Sequence, residues 1–141
     1  MEQLIAIQLP NILGAEKEAI EKAVTIAEKM GFSKDRIEDL KTALAEACIN
    51  AIEHGNKFDE NTKVEVRLSA DNTSLQIVVH DEGDGVDPEK IPKNWIAKDG
   101  LPVRRGYGVF LMRKLVNEIS FQYEHGKGND VKMKFDVNSQ K

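Results

Sequence analysis

Cysteine is almost missing from this chain: Cys48 stands alone among 141 residues. One thiol excludes an intramolecular disulfide framework and a cysteine-based zinc cage, and it fits a reducing compartment. Long apolar runs are missing as well, and nothing approaches the roughly 18–20 residues of a membrane span. The first residues, Met1-Glu2-Gln3-Leu4, lack the basic and apolar regions of a signal peptide. These gaps point to a cytoplasmic protein with no membrane association. There is no excess of positive charge either. Twenty Lys and Arg against 24 Asp and Glu leave a net charge of −4, whereas direct nucleic-acid binding wants a basic footprint. Repeats, low-complexity tracts and Ser/Pro-rich linkers do not occur. What remains is 40% hydrophobic and 31% charged, the profile of one soluble domain, 1–141, long enough to bury a sizeable core.

Ile5, Ile7 and Leu9 alternate with polar or small neighbours and predict a strand over 3–9, ended by Pro10. Ala19, Ala23 and Ala27 recur at helical spacing between about Ala15 and Met30, with Gly31 as the stop. Ser33 is an N-cap candidate for a longer helix whose stripe runs Ile37, Leu40, Leu44, Ala47, Cys48, Ala51 and Ile52, and Gly55 terminates it. Two alternating segments, Val64-Val66-Leu68 and Leu75-Ile77-Val79, flank the turn Ala70-Asp71-Asn72-Thr73 and predict a hairpin. Residues 82–105 contain Pro88, Pro92 and Pro102 but little periodicity, and a connection that long is usually functional or mobile. Trp95 within it reads as a loop anchor or a partner contact. A third helix from Gly108 to about Glu118 and a last hairpin turning at 126–129 complete the order β-α-α-β-β-loop-α-β-β. The fold class this suggests is an α/β two-layer sandwich: a mixed, mostly antiparallel sheet covered on one face by three helices.

Three stretches could carry chemistry. Glu46 and Asn50 are four residues apart, so they share one face of the second helix. Such a pair is ordinarily a solvated face. Asn, however, is a poor helix-interior residue, and this one sits among Ala45, Ala47 and Ala51, where a ligand can approach closely. An amide oxygen can ligate Mg²⁺, and a neighbouring carboxylate can take a proton from a nucleophile. Asp81-Glu82-Gly83-Asp84-Gly85 follows a buried-looking strand, and its glycines would let the backbone approach a planar or phosphorylated ligand. Arg104-Arg105-Gly106-Tyr107-Gly108 opens the third helix, where free N–H groups and a positive dipole end suit phosphate. It is neither a Rossmann fingerprint nor a Walker P-loop. His54, His80 and His125 have no zinc-ligand spacing. Cys48 lies on the apolar stripe and reads as core.

Taken in order, Glu-Ala-Cys-Ile-Asn-Ala-Ile-Glu-His-Gly (46–55), Asp-x-Gly-x-Gly (81–85), a long loop and Arg-Gly-Tyr-Gly-Val-Phe-Leu (105–111) resemble the N-box, G1 box and G2 box of the GHKL ATPase superfamily, built on the Bergerat fold. The resemblance covers nearly the whole chain and looks strongest to the small bacterial anti-sigma-factor serine/threonine kinases. It implies ATP and Mg²⁺ as cofactors. It implies that Asn50 holds Mg²⁺ and that Asp81 accepts from the adenine amino group in a pocket shaped by Gly83 and Gly85. Gly106, Tyr107 and Gly108 would offer N–H groups to the phosphates, with His54 and Val109 in the same nucleotide-binding set. Residues 86–105 would form a lid, Arg105 would reach the terminal phosphate, and Glu46 would activate a substrate serine. The implied partners are a STAS-type anti-anti-sigma factor, a sigma factor and a second copy of the chain. Two other readings are a detached histidine-kinase-like ATPase domain and a non-catalytic ATP-binding regulatory module. Glu46 weighs against the module, which would not require it.

Overall fold

The computed structural model describes residues 1–83 and 104–138, the side chains of 104–107 excepted. The expected lid at 86–105 falls outside the described residues but for the backbone of 104 and 105, as do Gly85 and Trp95. Strand β1 (Glu2–Leu9) is followed by α1 (Glu16–Met30) and α2 (Lys34–Asn50), then by a π-helical turn (Ala51–Gly55). The hairpin β2 (Val64–Ala70) and β3 (Ser74–Asp81), helix α3 (Arg104–Leu115), and the hairpin β4 (Glu118–Glu124) and β5 (Gly128–Asp136) follow.

Among the described residues five strands lie in the order β1-β2-β3-β5-β4, and their four pairings are antiparallel. Alternation sorts the residues between two faces. Val64, Val66 and Leu68 join Leu75, Ile77, Val79, Met133 and Phe135 in the core beneath the helices. The opposite face carries a polar row in which Gln8 donates to Glu65, Arg67 pairs with Glu65, and His80 meets Asp130 at 2.6 Å. One hydrophobic face and one hydrated face is the usual economy of an antiparallel sheet. Ala19, Ala23 and Ala27 are fully buried, and α1 packs beside α2.

The local signals act as their chemistry requires. Gly31 adopts φ 92° at the end of α1, a conformation that costs glycine nothing. The Ser33 side chain accepts from the Arg36 backbone N–H, satisfying one of the free donors at the start of α2. Asp71 Oδ1 accepts from the amides of Thr73 and Ser74, closing the β2–β3 turn and holding this exposed carboxyl below the usual carboxylate range.

Two boundaries differ from the sequence reading. Helix α3 begins at Arg104 and stops at Leu115, not near Glu118. The reason is Arg36, buried at the start of α2. Its guanidinium donates to the Leu115 carbonyl at 2.8 Å, to Asn117 Oδ1 and to Asp39, and it lies over the Phe135 ring. Asn117 meanwhile donates its own N–H to Lys134 O, entering the sheet. The last hairpin turns one residue earlier than expected, with Gly126 and Gly128 both at positive φ.

Because Arg36 joins α2, the end of α3 and the sheet, Arg36→Ala is expected to destabilise the fold by about 2–3 kcal/mol in urea unfolding. Arg36→Lys should recover only part, since an ammonium cannot reproduce the planar fork. Full recovery by Lys would show that charge alone suffices.

Candidate functional site

Glu46 and Asn50 occupy the last turns of α2, on the side away from fully buried Leu44 and Cys48. Both are half-buried because α3 crosses them at Gly108. A β-carbon on Gly108 would stand 2.7 Å from Glu46 Oε2 and 3.1 Å from Asn50 Nδ2. Only glycine leaves both side chains their present positions, and the space that a β-carbon would fill opens onto a carboxylate and an amide together. Burial pushes the Glu46 carboxyl above its ordinary range, and the negative charge of Glu53 adds to the shift.

After Asn50 the helix widens. The π-helical turn ends where the Asn56 N–H donates to Ala51 O at 2.7 Å; such turns recur at functional sites. The sequence predicts an unbroken helix to Gly55, and apolar spacing could not reveal the change of register. The turn delivers Gly55 against the Asp81 side chain, where a β-carbon would come within 2.5 Å of Oδ2 and 2.6 Å of Oδ1.

Asp81 is buried at the end of β3. Its Oδ1 accepts from the Gly83 N–H at 2.8 Å and from Asn129 Nδ2 at 2.9 Å. Among the described residues no hydrogen bond reaches Oδ2. Burial pushes this carboxyl above the usual range, against the opposing pull of those two hydrogen bonds. Among the described residues the carboxylate is thus anchored by hydrogen bonds to Oδ1, and an ionised carboxylate keeps acceptor capacity on Oδ2 for an external N–H.

The fold brings Glu46, Asn50 and Gly108 together in one group and Gly55, Asp81 and Gly83 in another, joined by the π-helical turn. His54 is exposed, with Nε2 3.6 Å from Glu53 Oε2. Val109 packs against the core. Gly106 and Tyr107 lie within the first turns of α3 and not in a loop before it. The side chains of Arg105 and Tyr107 are outside the description, as is Gly85. Cys48 is buried core, its thiol pushed up to about 12.

Sequence reasoning missed Asn129, Asn56 and Asn11. Asn56 Oδ1 accepts from the Glu82 N–H at 2.8 Å, and its Nδ2 donates to Asn11 Oδ1 at 3.0 Å. Asn11 Nδ2 in turn donates to Asp59 O at 2.6 Å and Thr62 O at 2.8 Å. The one available signal was position: Asn56 directly follows the N-box glycine, and Asn11 follows the proline that ends β1.

Among the described residues no group of three His, Cys, Asp or Glu could hold a metal by itself. The donor set suits a hard cation held largely by phosphate and water, since Mg²⁺ typically takes few protein ligands. An amide oxygen and a carboxylate facing an open glycine fit that role.

Comparison with known proteins places this geometry in a class. The sequence matches the histidine kinase-like ATPase domain family over residues 10–135. The chain belongs to that family and, within it, to the serine-protein kinase RsbW group. It is 42% identical over 108 residues to serine-protein kinase RsbW of Bacillus licheniformis, covering 72% of this chain and 66% of that protein. To its Bacillus subtilis counterpart it is 36% identical over 109 residues, with the same coverage. To that of Listeria innocua it is 32% identical over 106 residues, covering 72% of this chain and 68% of that protein. The chain therefore spans just under two thirds of the length of the Bacillus relatives. In fold it is similar to the RsbU and RsbW domains of a Mycobacterium tuberculosis protein, with a TM-score of 0.65 at 17% identity over 94% of this chain and 32% of that one. It is likewise similar to the mycobacterial sensor histidine kinase MprB, with a TM-score of 0.57 at 13% identity over 96% and 99% of the two chains.

Two outcomes are expected. Gly55→Ala forces a methyl into the Asp81 carboxylate and should cost about 1–3 kcal/mol in thermal or urea unfolding; the penalty should shrink in the Gly55→Ala/Asp81→Ala double variant. Strict additivity would mean the two residues do not collide. Glu53→Gln removes a negative charge near Glu46, so the Glu46 titration midpoint, followed by carboxyl ¹³C NMR, should move to lower pH.

Proposed function

We propose that the chain is an ATP-dependent protein serine kinase that also acts as an anti-sigma factor. It phosphorylates a STAS-type anti-anti-sigma factor and otherwise sequesters a sigma factor, in the cytoplasm and as a homodimer. The observation that carries this reading is the Glu46 carboxylate beside the Asn50 amide, both against Gly108 at the start of α3. A base next to a potential metal ligand at a helix N-terminal segment suits phosphoryl transfer to a hydroxyl, which needs positioning and charge neutralisation above all. The similarity to serine-protein kinases named RsbW supports the choice of serine as acceptor.

In this reading Asp81 accepts a hydrogen bond from the adenine amino group, and Gly83 and Gly85 shape the pocket around the base. Gly106, Tyr107 and Gly108 present backbone N–H groups to the phosphates, and Arg105 reaches the terminal one. His54 and Val109 belong to the same nucleotide-binding set, and residues 86–105, which lie outside the described residues but for the backbone of 104 and 105, are assigned to the ATP lid. Asn50 would supply an oxygen to Mg²⁺, whose charge would offset that of the phosphates. Glu46 takes the proton from the substrate serine hydroxyl as its oxygen bonds to the γ-phosphorus. The bond from that phosphorus to the bridging oxygen breaks, and ADP leaves. Burial and the charge of Glu53 raise the Glu46 pKa, which makes its carboxylate a stronger base than an ordinary glutamate. A base must be ionised, so transfer should fall as pH drops through a midpoint above the ordinary glutamate value.

The test is incubation with labelled ATP, Mg²⁺ and a STAS-type partner, followed by acid treatment of the product. Acid-stable phosphoserine on the partner supports the kinase. Acid-labile phosphohistidine would instead make the chain a histidine-kinase-like ATPase domain, and tight ATP binding without transfer would make it a regulatory module. Glu46→Gln should keep ATP affinity while transfer drops about 10²- to 10⁴-fold. Asn50→Ala should abolish Mg²⁺-dependent nucleotide binding in calorimetry; unchanged binding would remove Asn50 from the metal.

A further inference from the structure

We propose that Asn56 is the positioning residue for base recognition: it fixes the peptide that aims the Asp81 carboxylate, so that selection of a 6-amino purine depends on a residue with no place in the site itself. The proposal rests on the reading of Asp81 as the adenine acceptor.

Asn56 is 5% exposed, and every polar atom of its side chain is used. Oδ1 accepts from the Glu82 N–H, and Nδ2 donates to Asn11. The clamp is itself anchored, because Asn11 holds the backbone at Asp59 and Thr62. Glu82 is gripped a second time, its Oε2 accepting from the Lys63 N–H at 2.9 Å. The amide that Asn56 holds belongs to the peptide joining Asp81 to Glu82. One residue further on, the Gly83 N–H turns back to Asp81 Oδ1. The direction of the Asp81–Glu82 peptide therefore decides whether Gly83 can reach that oxygen, and with it which way Oδ2 faces. Asn56 also ends the π-helical turn through its own N–H to Ala51 O and follows Gly55, which lies on the Asp81 carboxylate. One buried amide thus fastens the helix bearing Glu46 and Asn50 to the strand end bearing Asp81.

A residue that merely stabilised the fold would, when lost, weaken all nucleotides alike. A residue that aims the carboxylate would weaken discrimination at the purine 6-position and spare the phosphate end. The experiment is calorimetric titration of the full chain with ATP and with ITP, which carries an oxo group in place of the amino group, each with and without Mg²⁺. Wild type should prefer ATP. Asn56→Ala should reduce that preference about tenfold, the worth of one well-made hydrogen bond, while the enhancement of ATP binding by Mg²⁺ stays unchanged. Should Asn56→Ala fail to fold, Asn56→Ser decides, since its shorter hydroxyl leaves the Glu82 bond unmade with a smaller void. A folded variant that keeps the wild-type ATP/ITP ratio, whether at full or uniformly reduced affinity, overturns the proposal. A wild type without preference overturns the reading of Asp81, and the proposal with it, and is told apart by appearing before any substitution is made.

Discussion

A buried carboxylate has to be held in place by something other than water, and the arrangement around Asp81 answers that demand. Burial alone disfavours its charge. Two donors, Gly83 N–H and Asn129 Nδ2, converge on one oxygen. Gly55 supplies the close wall and Asn56 ties down the next peptide. The π-helical turn exists between these parts and α2, so the conformation of the helix end and the environment of the carboxylate are one problem. A residue larger than glycine at 55 would separate the two halves of the site.

The second half depends on how two helices cross. Glu46 and Asn50 are ordinary helix residues until α3 arrives with Gly108, which lets its backbone lie against both. The far end of α3 is fixed by Arg36, which takes the Leu115 carbonyl and Asn117. The glycine end of α3 is thus free to approach α2 while the other end is clamped to it. A helix held at one end and admitted at the other by a missing side chain is compatible with the phosphate-binding role proposed for α3.

Much of this was legible in the sequence because the signals are local. Alternation of Val64, Val66 and Leu68 against Glu65 and Arg67 gave the strand and its buried face, and Ser33 and Gly31 marked helix ends by chemistry that acts within a few residues. The Glu46–Asn50 pair was legible because a helix sets their spacing by itself, and the boxes at 46–55 and 81–85 carried the family. What escaped was long-range. Asn56 meets Asn11 across 45 residues and Glu82 across 26, and nothing in periodicity marks an asparagine whose partner lies on another element. The π-helical turn escaped because a one-residue change of register leaves the apolar stripe nearly intact. The end of α3 escaped because its limit is imposed by Arg36 from α2, a charged residue in a position that periodicity assigns to no core.

Where a nucleotide sits relative to Asp81 and Asn50 decides the function of this chain. A crystal structure of the chain with Mg²⁺ and a non-hydrolysable ATP analogue is the most direct measurement. It should place the purine amino nitrogen within hydrogen-bond distance of Asp81 Oδ2 and the metal on Asn50 Oδ1, with the phosphates against the first turns of α3. A base bound away from Asp81, or a metal that leaves Asn50 untouched, would contradict it.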